Sequence, residues 1–359
     1  MKILAEGLAP QHKVAVCVVG STDDGQSDSA FFRALDIPVH FLGSGPKLKH
    51  RVGAAKIQRA LRLSKRIRAF GPDIVHAFGQ PATHIAAAVL LKDDKINLYS
   101  SVLSKWKPHT TPTKRFEGCL VNRVDRFIGA HECLKNELLN FGVADEKFSV
   151  VSNGVRVGDN GKVDVKDRQH GRALLMQETG LESTALIAVT SADLEPVTRL
   201  KDLIWATDLL SCVRDDVHLV ILGEGSQHQN LLKFAACTEA ADHIHFAGLP
   251  STALEMIGGA DVYWNSHLQT PLPSGVLTAM NCSVPVISVY GPETSPLVIH
   301  QETGFAVNYG ARDEFARWMK FLIEKPDAAR QLGDQGRRHC RHQFRANKMV
   351  RLIDRIYGD

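Results

Sequence analysis

Residues 265–286 read NSHLQTPLPSGVLTAMNCSVPV, and this stretch says most about how the chain is built. Pro273 and Ser274 stand where a helix begins, since proline is tolerated in a first turn and serine favours the cap. The opening amides of a helix lack intrahelical partners, and the backbone dipole adds positive potential there. Ser274, Gly275, Val276 and Leu277 are therefore candidate binding residues for an anion, with a pyrophosphate as the natural ligand. A capped core helix without a ligand is the plainer alternative.

Outward from that stretch, short β-branched runs alternate with helical segments, the pattern of an α/β chain with parallel sheets. A first series of strands is expected at 13–19, 37–42, 73–78, 96–101, 125–130 and 147–152. A second is expected at 185–191, 217–222, 243–246, 261–265, 284–289 and 304–307. Segments 55–70 and 131–141 carry helical periodicity. Between the two series, 156–170 turns to Gly, Asp and Lys and reads as a linker. The expected organisation is a first domain over 1–165, a second over 166–335 and a basic helical tail over 336–359. Two parallel-sheet domains of this kind would face a cleft at the carboxyl ends of their strands.

Composition sets limits. The 359 residues are 44% hydrophobic and 23% charged, which fits two globular domains rather than a disordered or fibrous chain. No apolar run nears the roughly 20 residues of a bilayer span and no secretory leader is evident, so the cytoplasm is the expected location. The seven cysteines never form a CxxC pair, which points to neither a disulfide framework nor a zinc site. A formal charge of +4 is too slight to imply nucleic acid. From Lys47 to Arg68, however, nine Lys or Arg occur with no acidic residue, and Ala60, Leu63, Ile67 and Phe70 share one side. That segment is either a solvated basic helix face or a helix lying against anionic lipid, giving peripheral membrane attachment.

Four segments in register carry a family resemblance. They are VVSNGV at 150–155, LVILGEGSQHQNLLKFA at 219–235, HIHFAGL at 243–249 followed by GADVYWNS at 259–266, and the 265–286 stretch itself. Together they resemble the retaining nucleotide-sugar glycosyltransferases of family four, whose donor signature is EG(F/L)xxxxLEAMAxGxPVV. The resemblance implies the GT-B fold, two Rossmann-like domains facing a cleft, with the sugar nucleotide held mainly by the second. It also implies Gly223 and Gly225 as part of a nucleotide-binding turn, a UDP- or GDP-linked sugar as co-substrate, and neither cofactor nor metal.

The departures from the pattern fall on the residues that carry chemistry. Thr270 and Thr278 replace the two signature glutamates, keeping a hydroxyl but losing charge and reach. DLEPVTRLKDLIWA at 193–206 resembles RLxPxKGxDxLIxA, so Asp193 stands for the phosphate-binding arginine and Thr198 for the lysine. Those cations offset charge on the leaving diphosphate, and a carboxylate there reverses the local field. Arg199 is the nearest substitute, but a one-residue shift on a helix would rotate it by about 100°. Pro296 occupies a usually acidic position, with Glu293 and Glu302 as stand-ins or plain surface residues. In the first half, His76 and His84 are candidates near a strand end, or structural histidines. His243 and His245 share a strand face but lack further ligands for a metal.

The amino terminus is also expected to differ from the family. About a dozen residues precede the strand at 13–19, so the first domain is expected to lack its first strand, and ILAEGLA at 3–9 reads as the end of a helix. The leading expectation is transfer of a sugar from a nucleoside diphosphate donor to a glycan or lipid-linked acceptor with retention, weak or absent in turnover. The alternative is a non-catalytic nucleotide- or glycan-binding relative that acts as a partner or is a decayed copy; a same-fold epimerase or phosphorylase matches the signature less well.

Overall fold

The computed structural model describes residues 1–19, 26–43, 52–103, 106, 114–156, 165–268, 273–291 and 294–358. Two compact units divide the chain, Met1–Gly154 together with Ala346–Asp359, and Val155–Arg345.

In the first unit the order is α1 (Lys2–Leu8), β1 (Val16–Val18), α2 (Gln26–Arg33), β2 (Val39–Phe41), α3 (Val52–Phe70), β3 (Ile74–Phe78), α4 (Gln80–Leu90), β4 (Asn97–Val102), α5 (Lys114–Asn122), β5 (Arg126–Gly129), α6 (Cys133–Leu139) and β6 (Phe148–Val150). The second unit runs α7 (Val165–Thr179), β7 (Leu186–Ser191), α8 (Leu200–Ser211), β8 (Val217–Leu222), α9 (His228–Ala235), β9 (Ile244–Phe246), α10 (Ala253–Gly258), β10 (Val262–Asn265), α11 (Ser274–Asn281), β11 (Val286–Val289), β12 (Phe305–Val307), α12 (Arg312–Glu324) and α13 (Pro326–Gln343). A last helix, α14 (Ala346–Gly358), returns to the first unit.

Every strand pair is parallel. In the second unit six strands lie in the order β12-β11-β10-β7-β8-β9. Buried on both faces, strands such as VHLVIL and VYWN are continuous rather than alternating in hydrophobicity. Leu203 and Ile204 of α8 and Phe315 and Met319 of α12 pack on Ala188, Leu219, Ile221 and Trp264 in one core. The first unit holds a four-stranded sheet, β3-β4-β5-β6, and a separate pair, β1-β2. Leu4 and Leu8 of α1 share a core with Ile353 and Ile356 of α14, so residues 3–8 are helical as read from the sequence.

Three readings of the chain change. Part of the supposed linker is helix: α7 begins at Val165 and packs on α10, where Gly171 and Gly259 let two backbones meet. A Cβ on Gly171 would lie 2.2 Å from the Glu255 carbonyl, and one on Gly259 2.2 Å from the Arg172 amide. The division of the chain falls earlier, at Gly154–Val155, because the Val155 amide donates to the Phe344 carbonyl at 2.8 Å and ties residue 155 to the second unit. The stretch from 336 is not one tail; it breaks at Phe344–Arg345 into the end of α13 and the whole of α14, which join different units.

Candidate functional site

The order of the second sheet fixes where a ligand can sit. From β7 the chain winds outward to β8 and β9, then returns to place β10 on the other side of β7. At such a switch point the loops after two neighbouring strands part and leave a crevice at their carboxyl ends. Those loops are Ala192–Arg199 after β7 and Ser266–Leu268 after β10. They are tied together at their base, since the Ser266 hydroxyl donates to the Thr198 carbonyl at 2.6 Å.

Helix α11 is set over this crevice by Tyr263. Its hydroxyl donates to the Ser191 carbonyl at 3.3 Å and receives the Ser191 amide at 3.2 Å. Burial pushes the phenol pKa well above its usual value, so it stays protonated. Gly275, in the first turn of α11, rests on that hydroxyl. The helix begins at this pair as the sequence suggests, with the roles exchanged: Pro273, with ψ 122°, is the capping residue and Ser274 is the first helical residue. The Leu277 amide is not free, because it donates to the Pro273 carbonyl at 3.2 Å as the first intrahelical bond. The available amides are therefore those of Ser274, Gly275 and Val276.

The substituted motif positions have distinct environments. Asp193 is exposed on the post-β7 loop. Thr198 is 6% exposed and its hydroxyl donates to the Glu195 carbonyl at 2.7 Å, so it faces inward. Arg199 is not on a helix, contrary to the rotation argument: it caps α8 in the left-handed region, φ 53°. Its Nε donates to Asp202 at 2.5 Å and its guanidinium lies 4.5 Å from the Tyr309 ring centroid, which directs it into a neighbouring cleft of about 290 Å³ lined also by Lys201, Gln227 and Arg312. Asp202 takes a second guanidinium from Arg312 at 2.9 Å. Thr278 spends its hydroxyl on the Ser274 carbonyl at 2.8 Å. Thr270 and Glu293 lie outside the described residues. Glu302 is exposed in a turn.

Gly223 and Gly225 are glycines for a packing reason. A Cβ at 223 would stand 1.9 Å from the Ala192 carbonyl, and one at 225 would stand 2.6–2.8 Å from the Leu194 backbone. The turn after β8 thus presses against the loop that carries Asp193.

The histidines sort themselves. His76 is half-buried, stacked on Phe78 at 4.4 Å and bonded to the Tyr357 and Ser101 hydroxyls; desolvation pushes its pKa down to about 3. The His84 ring lies edge-on to Trp106 at 5.6 Å. His218 joins the pair read from the sequence, hydrogen-bonding His245 at 3.3 Å and stacking on His243 at 4.9 Å. Among the described residues no group of three His, Cys, Asp or Glu is arranged to hold a metal. Two residues at the crevice escaped the sequence reading, Tyr263 and His267. Both lie inside segments quoted above, Tyr263 in 259–266 and His267 in 265–286, but at positions to which the resemblance gives no role, so only the strand ends in three dimensions single them out.

Comparison with known proteins agrees with the fold. Residues 172–339 match the family described as Glycosyl transferases group 1, and residues 1–158 match Glycosyltransferase Family 4. Each of the two matches covers a little under half of the chain, and both are glycosyltransferase families. It is 30% identical over 184 residues to EpsD of Bacillus subtilis, which bears a glycosyltransferase name, with 51% of this chain and 48% of that protein covered. It is 23% identical over 185 residues to the N-acetyl-alpha-D-glucosaminyl L-malate synthase of Bacillus anthracis, with 52% and 48% covered. The chain thus spans about half the length of these relatives. The fold is that of Anabaena HepE in complex with UDP-glucose (TM-score 0.81, 19% identity, 99% of this chain and 94% of that one). It is likewise that of the sucrose-phosphate synthase of Thermosynechococcus elongatus (TM-score 0.77, 16% identity, 99% and 91%), a two-domain GT-B architecture.

Proposed function

We propose that the chain binds a UDP- or GDP-linked sugar at the crevice between β7 and β10 and transfers the sugar, with retention and weak turnover, to a glycan or lipid-linked acceptor. The observation that carries this reading is the start of α11, whose three available amides are set over the strand ends by the Tyr263–Gly275 contact. HepE, solved with UDP-glucose, supports the donor class. Weak turnover follows from charge. Asp193 puts a carboxylate where a phosphate-binding cation would act, Thr198 faces inward, and Arg199 is engaged by Asp202.

A second reading, a nucleotide- or glycan-binding relative without turnover, is favoured by the same charges. Calorimetry with UDP, UDP-glucose, GDP and GDP-mannose, followed by a product assay, separates the two. Binding with slow product formation supports the transferase; binding with none supports the second reading. Ordinary turnover would show that the lost charges do not matter, and absence of nucleotide binding would overturn the transferase and leave the second reading only its glycan-binding form.

The expected location is the cytoplasm, with peripheral membrane attachment through α3. No helix among the described residues is long and apolar enough to cross a membrane. Support for attachment comes from the outer face of α3, where Ile57 and Leu61 are 64% and 68% exposed beside exposed Lys65 and Arg68.

A further inference from the structure

The crevice contains two buried polar atoms that the protein leaves unsatisfied. His267 is 5% exposed, and its Nδ1 is sealed from solvent with no hydrogen-bond partner. Asn265, fully buried at the end of β10, donates through Nδ2 to the His267 carbonyl and the Ser288 hydroxyl, yet its Oδ1 has no partner. An unpaired buried polar group costs about 1–3 kcal/mol. Two of them, two residues apart where a central strand ends, are kept at a cost to stability, which points to a role for this strand end other than packing.

Burial pushes the His267 pKa down to about 4, although the nearby Asp193 carboxylate pulls it up, so the ring is neutral near pH 7. A neutral imidazole carries one N–H, and placing it on the sealed, unpartnered Nδ1 would bury an unsatisfied donor. The proton therefore belongs on Nε2. His267 also sits one residue beyond Ser266, on the segment that leads from β10 into the anion-binding start of α11.

We infer that His267 is a donor-binding residue, its Nε2–H hydrogen-bonding the diphosphate whose other oxygens take the α11 amides. The inference rests on the donor site proposed above. Positions 193 and 198 supply no cation, and a neutral N–H donor beside Asp193 holds a phosphate oxygen where a bare carboxylate would repel it.

The test uses the full chain with UDP as the probe. Protein labelled with 15N-histidine is titrated with UDP, the His267 ring signals being identified by their loss in His267→Gln. Affinities for UDP are measured for wild type, His267→Leu and His267→Gln. The expected result is a shift of the His267 ring nitrogens at saturation, UDP binding about tenfold weaker in His267→Leu, and recovery to within about threefold in His267→Gln, whose amide N–H has similar reach. If UDP binds wild type while the His267 signals stay put, or if the glutamine variant is as weak as the leucine variant, His267 is a packing residue and the inference falls. If neither UDP nor GDP binds wild type, the donor-site reading falls with it. The wild-type titration decides the matter even should a variant fold poorly.

Discussion

The Tyr263 hydroxyl lies 2.0 Å from where a Cβ on Gly275 would stand, so α11 starts on top of a phenol only because residue 275 has no side chain. Gly275→Ala must lift the first turn of α11 away from the strand ends. We expect it to cost about 1–3 kcal/mol in urea denaturation and to abolish UDP binding. Tyr263→Phe, which loses both bonds to Ser191, should cost about 1 kcal/mol, and Gly275→Ala should be milder in that background. Additive effects of the two changes would mean that they are not in contact.

The turn after β8 makes a sharper case. At Gly223 and Gly225 the obstacle is backbone of residues 192 and 194, which cannot swing aside as a side chain can. Alanine at either position should destabilise the second unit by about 2 kcal/mol or more, by the measure of overpacked cores. Gly118 in α5 has nothing within 4 Å of its virtual Cβ. There alanine should stabilise by roughly 0.4–1 kcal/mol, since it narrows the unfolded ensemble without strain. Thermal denaturation of the three variants checks the opposite signs.

The strands were legible because the twelve among the described residues are short apolar runs with turn chemistry around them, and each falls within its expected run or within a residue of it. What the sequence hid depends on contacts between distant segments. The polar run 165–170 looks like linker until Gly171 meets α10, and residues 336–357 look like one helix until Phe344 and Arg345 interrupt it. Arg199 invited a helical rotation argument, yet its left-handed backbone places it outside the helix that follows. The start of α11 was readable as a motif, whereas the motif gives no role to His267 or Tyr263, which gain meaning only from the sheet order.

Acid should weaken the fold through three histidines. Burial lowers the pKa of His76 to about 3 and is the main cause of values of about 4 at His218 and His267. Between those values and the unfolded pKa of about 6.5 the unfolded chain binds more protons than the folded one. Their contribution is thus complete above pH 6.5 and is lost as pH falls through the window toward 3–4. Melting curves from pH 7 to 4.5 should show a steady loss. His76→Phe should make that loss shallower whatever it does at pH 7, and an unchanged slope would mean His76 does not titrate in this way.

Attachment to membranes makes its own demand on α3. Ile57 and Leu61 lie one turn apart on the outer face, whereas Arg62 is turned inward and donates to the Leu42 and Gly43 carbonyls. The outward cations next to them can each add about 1 kcal/mol near an anionic surface, screened by salt. Flotation with phosphatidylglycerol vesicles should recover the protein at low salt and release it at high salt, and Ile57→Asp with Leu61→Asp should abolish recovery. Equal recovery with neutral vesicles would leave α3 as a solvated basic face.

Charge at position 193 should set the affinity for nucleotide. Asp193 is exposed, so its side chain can be replaced at little structural cost. Asparagine removes the repulsion and arginine restores a cation able to grip phosphate through two N–H groups. UDP affinity should therefore rise in the order Asp193, Asp193→Asn, Asp193→Arg, by about tenfold or more from first to last, since a hydrogen bond to a charged group contributes about 1.5–3 kcal/mol. The gain should shrink with added salt, as an exposed charge requires. Thr198→Lys should be the poorer repair. Residue 198 is 6% exposed and its hydroxyl is bonded to the Glu195 carbonyl, so a lysine there must first break that turn. Calorimetry with UDP on the four proteins gives the ranking, and an affinity indifferent to the charge at 193 would mean that this loop does not face the diphosphate.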